Sequence, residues 1–214
     1  VNRNVLNQGL ISADVLGATL SITGTNVSNT GTIAAINGAT LSLTNMATNN
    51  GIIEVASGSL ITTNNASISN LGTLRGGGTF DVGSGVFSNE GTVSPGLVFE
   101  DTAVLSISGD YNQGPGGTIE IELNGTTAGT LYDQLDVSGT ATLDGTVIIT
   151  EFSGYTPVEN DTYTIVNASL ISGDFANYTL PADYSSSIIT NTIVVDFSTV
   201  IASIFFDNEQ GDFD

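Results

Sequence analysis

The 214-residue sequence contains no cysteine, no histidine, no lysine and no tryptophan, and its only basic side chains are Arg3 and Arg75. Without cysteine there is no disulfide, no thiol nucleophile and no zinc–thiolate site. Without histidine no Ser–His–Asp set can form. Two arginines stand against 22 acidic residues, a formal net charge of −20. No basic patch is available to neutralise phosphates, so nucleic acid is excluded as a partner and an anionic membrane surface is disfavoured. Trypsin has almost nowhere to cut.

Charged residues of both signs make up 11% of the chain, against about a quarter of an ordinary globular domain. The polar surface must therefore come from Thr, Ser, Asn and Gly. That composition suits short strands joined by tight turns. No apolar run reaches the ~18–20 residues of a membrane helix. The nearest, Val194–Phe206, is broken by Asp196, and no membrane insertion is expected. No basic and apolar leader opens the sequence, so a signal peptide is expected to be absent or already removed.

What is present is a phrase: Asn, any residue, Gly, then a short β-prone pair. It reads Asn7-Gln8-Gly9-Leu10-Ile11, Asn29-Thr30-Gly31-Thr32-Ile33, Asn49-Asn50-Gly51-Ile52-Ile53, Asn70-Leu71-Gly72-Thr73-Leu74 and Asn89-Glu90-Gly91-Thr92-Val93. Successive glycines are 22, 20, 21 and 19 residues apart, and such a near-fixed period marks a stacked repeat. Between the phrases lie alternating segments such as Ala18–Thr23 and Ala39–Thr44, the pattern of a strand with one buried face. Gly17, Gly38, Gly58 and Gly78 each precede the second segment of a coil, where glycine supplies backbone angles closed to other residues.

These observations predict an all-β fold: a parallel β-helix, right-handed by the usual bias, with coils of about 20 residues. Asn29, Gly31, Asn49, Gly51, Asn70, Gly72, Asn89 and Gly91 are its expected structural corners. Stacked asparagine amides there would satisfy turn groups or one another.

A boundary is expected at Ser94-Pro95-Gly96, separating a repeat array (residues 1–97) from an acidic β-rich region (residues 98–214). The charge changes there. Residues 1–98 hold four acids and both arginines, net −2, and residues 99–214 hold the other eighteen acids and no base, net −18. The second half is expected to add further coils and then a β-sandwich-like cap. Its candidate strands are residues 103–107, 118–123, 134–137, 141–150, 162–166, 187–197 and 200–206.

Gly91-Thr92-Val93-Ser94-Pro95-Gly96, Leu105-Ser106-Ile107-Ser108-Gly109-Asp110-Tyr111, the run Tyr132–Thr146, and Asp161–Val166 follow one another in this order. The order resembles the β-helical passenger regions of bacterial autotransporters and related large surface adhesins. The resemblance implies a secreted or surface-exposed bacterial protein, an adhesin or a stalk. No membrane-barrel translocator accompanies the repeats, so the export route stays open.

Catalytic chemistry has little to build on. Glu120 and Glu122 alternate along one strand, and Asp133 and Asp136 flank Gln134 and Leu135. A two-carboxylate, polysaccharide-degrading β-helix is the enzymatic alternative, though a solvated strand face explains the same residues. No enzyme is expected. Asp207, Glu209, Asp212 and Asp214 gather oxygen ligands suited to Ca²⁺. Glu100-Asp101 and Glu159-Asn160-Asp161 are weaker candidates of the same kind. Thr192–Phe206 is long and β-branched. It can close its own sheet or add a strand to a neighbouring molecule, with Ile193, Val195, Val200, Ile204 and Phe206 as its assembly residues.

The expectation is a structural, extracellular β-solenoid that self-associates head to tail into a bacterial surface filament. The alternatives are a monomeric adhesin stalk, or a Ca²⁺-dependent module that binds glycan on a host or neighbouring cell.

Overall fold

The Asn-x-Gly phrases close one corner of a coil that repeats along the chain. A computed structural model describes residues 3–199. The first coil is β1 (Asn4–Asn7), β2 (Leu10–Ala13) and β3 (Thr19–Ile22). The second is β4 (Asn26–Asn29), β5 (Thr32–Ala35) and β6 (Thr40–Leu43), and the third is β7 (Met46–Asn49), β8 (Ile52–Val55) and β9 (Leu60–Thr62). Each coil thus has three strands. The third arises because a third alternating stretch, such as Asn26–Asn29, leads into each Asn-x-Gly corner.

From the fourth coil onward the last strand of one coil runs straight into the first strand of the next. The elements are β10 (Ile68–Asn70), β11 (Thr73–Gly76), β12 (Thr79–Asn89), β13 (Thr92–Pro95), β14 (Val104–Gln113) and β15 (Thr118–Leu123). They continue as β16 (Gln134–Leu143), β17 (Thr146–Glu151), β18 (Thr162–Gly173), β19 (Asn177–Thr179), β20 (Tyr184–Ile189) and β21 (Thr192–Phe197). No helix occurs among the described residues.

The strands form a first sheet of 13 and a second sheet of 8. The second sheet stacks β2, β5, β8, β11, β13, β15, β17 and β19 in chain order, all parallel. The fold is therefore a parallel β-solenoid. Its core is built as ladders. On the inner face of the second sheet Ile11, Ile33, Ile53, Leu74, Val93, Ile119 and Val147 lie in register, one per coil. On the first sheet Leu41, Ile61, Phe80, Ile107 and Val137 do the same. Apart from the first-coil residue Ile11, these side chains are buried. Period-two alternation selects them, since only every second residue faces inward.

The ladders run through Ser94-Pro95-Gly96 without a break, as β12 pairs with β14 and β13 with β15. What changes there is coil length: Gly96 is still bridged to Gly76, then residues 97–103 leave the sheet as a loop and the chain re-enters at β14. The expected strand over 141–150 is two strands, parted by a turn at Asp144-Gly145 where Gly145 has φ +67°. The expected strand over 187–197 is likewise two. Thr190, at φ +57°, turns the chain between β20 and β21. These last strands pair antiparallel, β18 with β21 and β21 with β20.

Candidate functional site

The asparagines of the repeated phrase form a continuous internal ladder. Asn7 Nδ2 donates to Asn29 Oδ1 at 2.8 Å, Asn29 to Asn49 at 2.8 Å, Asn49 to Asn70 at 2.7 Å and Asn70 to Asn89 at 2.8 Å. Asn89 then donates to Gln113 Oε1 at 2.9 Å. Asn29, Asn49, Asn70 and Asn89 have no solvent exposure. The second amide proton reaches a backbone carbonyl, as in Asn49 to Gly51 at 3.0 Å. The carbonyl oxygen also takes the N–H of the phrase's own glycine, as in Gly51 to Asn49 at 3.2 Å. Each amide thus satisfies a corner that would otherwise bury unpaired backbone groups.

The glycine has a different duty. At Gly31, Gly51, Gly72 and Gly91 an added Cβ would collide with the carbonyl oxygen of the preceding coil's glycine. None of these four has a positive φ, so they are required by close approach of coils rather than by backbone angle. Gly17, Gly38 and Gly58, by contrast, have φ of +69°, +72° and +76°. Gly78 does not share that conformation, and packs instead beside the Ala56 carbonyl.

The ladder stops at Gln113, which sequence reasoning had not singled out. Its longer side chain spans to Asn89 across 24 residues, where the coil has outgrown its earlier length. The Tyr111 hydroxyl also donates to Gln113 Oε1, and burial raises the pKa of that phenol. Gln113 Nε2 is buried without a partner. The next coil places Leu143 and not an amide near this level, because β16 follows β14 in register from Asn112 and Thr142.

The face of the first coil differs from every later coil. Gly9 has nothing within 4 Å of an added Cβ. Among the described residues Asn7 Oδ1 accepts only the N–H of its own Gly9, at 3.2 Å, and Asn7 itself is buried. Leu6, Leu10 and Leu16 are 59%, 68% and 80% exposed on the same coil. Among the described residues β1, β2 and β3 each have one partner strand, β4, β5 and β6.

The acidic candidates separate. Glu120 and Glu122 lie on the outer face of the second sheet, Glu120 exposed and Glu122 half-buried. Burial raises the Glu122 pKa, and the nearby Glu100 and Glu120 carboxylates push the same way. Asp133 is buried and accepts the N–H groups of Ala103 at 2.8 Å and Glu122 at 2.9 Å. Burial pushes its carboxyl up to about 8 against the pull of those two donors. Asp136 is elsewhere, accepting from Asn167 Nδ2 at 2.7 Å.

Glu159 accepts from Thr199, and Asp161 from the Val158 N–H, so both serve as loop anchors. Among the described residues no group of three or more His, Cys, Asp or Glu is placed to hold a metal. The Ca²⁺ candidates Asp207, Glu209, Asp212 and Asp214 lie outside the described residues, as do Val200, Ile204 and Phe206. Ile193 and Val195 are fully buried in β21, whose two edges are both occupied, by β18 and by β20. The Thr192–Phe197 part of the terminal segment therefore closes its own sheet.

The ladder, the two parallel sheets and the stacked core place this chain in the β-solenoid class. No protein-family model matches the sequence, and no curated protein matches it either.

Proposed function

We propose that this protein is a structural, extracellular β-solenoid, a stiff rod unit of a bacterial surface fibre that stacks end to end. The observation that carries this reading is the unbroken amide ladder from Asn7 to Gln113, which joins coil to coil along one axis. Asn7 and Gly9 repeat the acceptor and the glycine with which each later coil receives the coil before it. On the same coil Leu6, Leu10, Leu16 and Leu20 are exposed, and strand edges flanked by exposed apolar side chains favour pairing.

The partner assigned is a second copy. At the far end β19 runs parallel to β17, and two reversals return β20 to the direction of β18. Among the described residues β20 has no partner on its second edge, and it runs in the sense that β1 requires; a head-to-tail contact that does not close gives a filament. The surface location is supported by the resemblance to adhesin stems and by the scarcity of basic cleavage sites. The rod itself acts mechanically, through backbone ladders along its axis.

Sedimentation velocity over a concentration series tests the proposal, using the intact protein and Gly9→Ala. The wild type is expected to associate with rising concentration. The variant is expected to keep its fold and stay monomeric. A wild type that sediments as a monomer at every concentration contradicts the reading.

A further inference from the structure

The loop that leaves the solenoid after β13 does more than connect. It folds over the outer face of the second sheet and makes a groove of about 480 Å³. The floor crosses β11, β13, β15 and β17, and carries the hydroxyls of Thr73, Thr92 and Ser94 beside the carboxylates of Glu120 and Glu122. The wall is Val98 and Phe99, which are 68% and 69% exposed. Phe99 is the one exposed aromatic side chain among the described residues.

Its position is held. Gly96, at φ +86°, turns the chain outward. The Leu97 N–H donates to Asp101 Oδ2 at 2.8 Å, the Asp101 N–H to the Val98 carbonyl at 3.2 Å, and the Glu100 N–H to Glu122 Oε2 at 2.9 Å. Asp133 anchors the loop's return through the Ala103 N–H. A loop anchored by its backbone thus holds an aromatic ring in water, where it forgoes the stabilisation of burial.

We infer that this groove binds a neutral, linear glycan laid along the solenoid axis. An aromatic ring offers its face to the C–H side of a pyranose, and hydroxyls and carboxylates take the sugar hydroxyls. The floor repeats every ~4.8 Å, the spacing of neighbouring strands, which is comparable to the advance of one sugar unit. Successive sugars therefore meet successive coils. Charge sets the class. Glu120 and Glu122 face the groove, and the one cation there, Arg75, is engaged by Glu54. Uronic acids and sulfated sugars meet repulsion. This site is independent of end-to-end stacking, since it lies on the side of the rod.

Titration calorimetry of the whole protein with cellohexaose, maltohexaose and chitohexaose tests the assignment, with hexagalacturonate as the anionic comparison. At least one neutral hexasaccharide is expected to bind at millimolar concentration or below. Phe99→Ala is expected to weaken it about tenfold, the loss of one stacking contact, with an unchanged melting temperature. Hexagalacturonate is expected to bind at least about tenfold more weakly. Absence of binding by all three neutral sugars overturns the proposal. So does equal binding by Phe99→Ala, or hexagalacturonate binding as tightly as the neutral sugars.

Discussion

Asn49 gives its side-chain amide to Asn70 at 2.7 Å and receives that of Asn29 at 2.8 Å, although these residues are 21 and 20 positions away in the chain. One residue type at one corner thereby links three coils through a buried chain of amides. The chain has direction: every rung donates toward the C-terminal end. Polarised in series, such bonds strengthen one another in a low-dielectric interior.

Asn49→Ala breaks this chain in the middle. It leaves Asn70 Oδ1 without its amide donor and removes one acceptor of Asn29 Nδ2. Each buried group left unpaired costs about 1–3 kcal/mol. A total loss of about 2–4 kcal/mol is expected in urea unfolding. The conservative change Asn49→Asp is expected to be at least as damaging, because it replaces the donor by an acceptor and buries a charge.

Gly51→Ala and Gly9→Ala are the same substitution in the same phrase with different neighbours. At position 51 the new methyl meets the Gly31 carbonyl, which belongs to a backbone ladder and has no room to move. At position 9 it meets nothing. Gly51→Ala is expected to destabilise by about 1–3 kcal/mol or more, and Gly9→Ala by less than about 0.5 kcal/mol. Thermal melts of the two variants side by side check the contrast. Equal losses would show that the glycines are selected for backbone angle instead.

Stability should depend on pH through Asp133. Its carboxyl titrates near 8 in the folded chain against an ordinary 3.8. Below about pH 4 it is protonated in both states. Between about 4 and 8 it is ionised only when unfolded, so the unfolded state is increasingly favoured as pH rises. Stability is expected to fall across that window, by at most about 1.4 kcal/mol per pH unit from this group. Glu122, raised for the same cause, pushes in the same direction. Urea unfolding at pH 5 and pH 8 measures the slope. Asp133→Asn, which cannot titrate, is expected to flatten it. A slope identical in wild type and variant would assign the titration elsewhere.

Much of this fold was legible because the repeat is written twice, once as periodic Asn-x-Gly and once as period-two alternation. Ile33, Ile53 and Leu74 could be placed on one inner row from spacing alone. The third strand of each coil was harder to see. Its residues, such as Ile68-Ser69-Asn70, are few and merge with the corner phrase. Gln113 was hidden because its coil had lengthened and glutamine had replaced asparagine, so no fixed period pointed to it. The groove was illegible for a different reason. Phe99 and Glu120 are 21 positions apart and meet only because a loop of no regular pattern folds back over the sheet. Ile193 and Val195 looked available for pairing with another molecule. The turn at Thr190, which returns β20 alongside β21, carries neither Gly nor Pro, and its single turn-forming residue, Asn191, is hard to tell from the many other asparagines of the chain.

Electron microscopy of the purified protein tests the central claim most directly. Stacking through the Asn7–Gly9 corner predicts straight, unbranched filaments in the wild type, and single short rods in a Gly9→Ala sample of unchanged thermal stability. Short rods in both samples, at any protein concentration, would contradict end-to-end assembly.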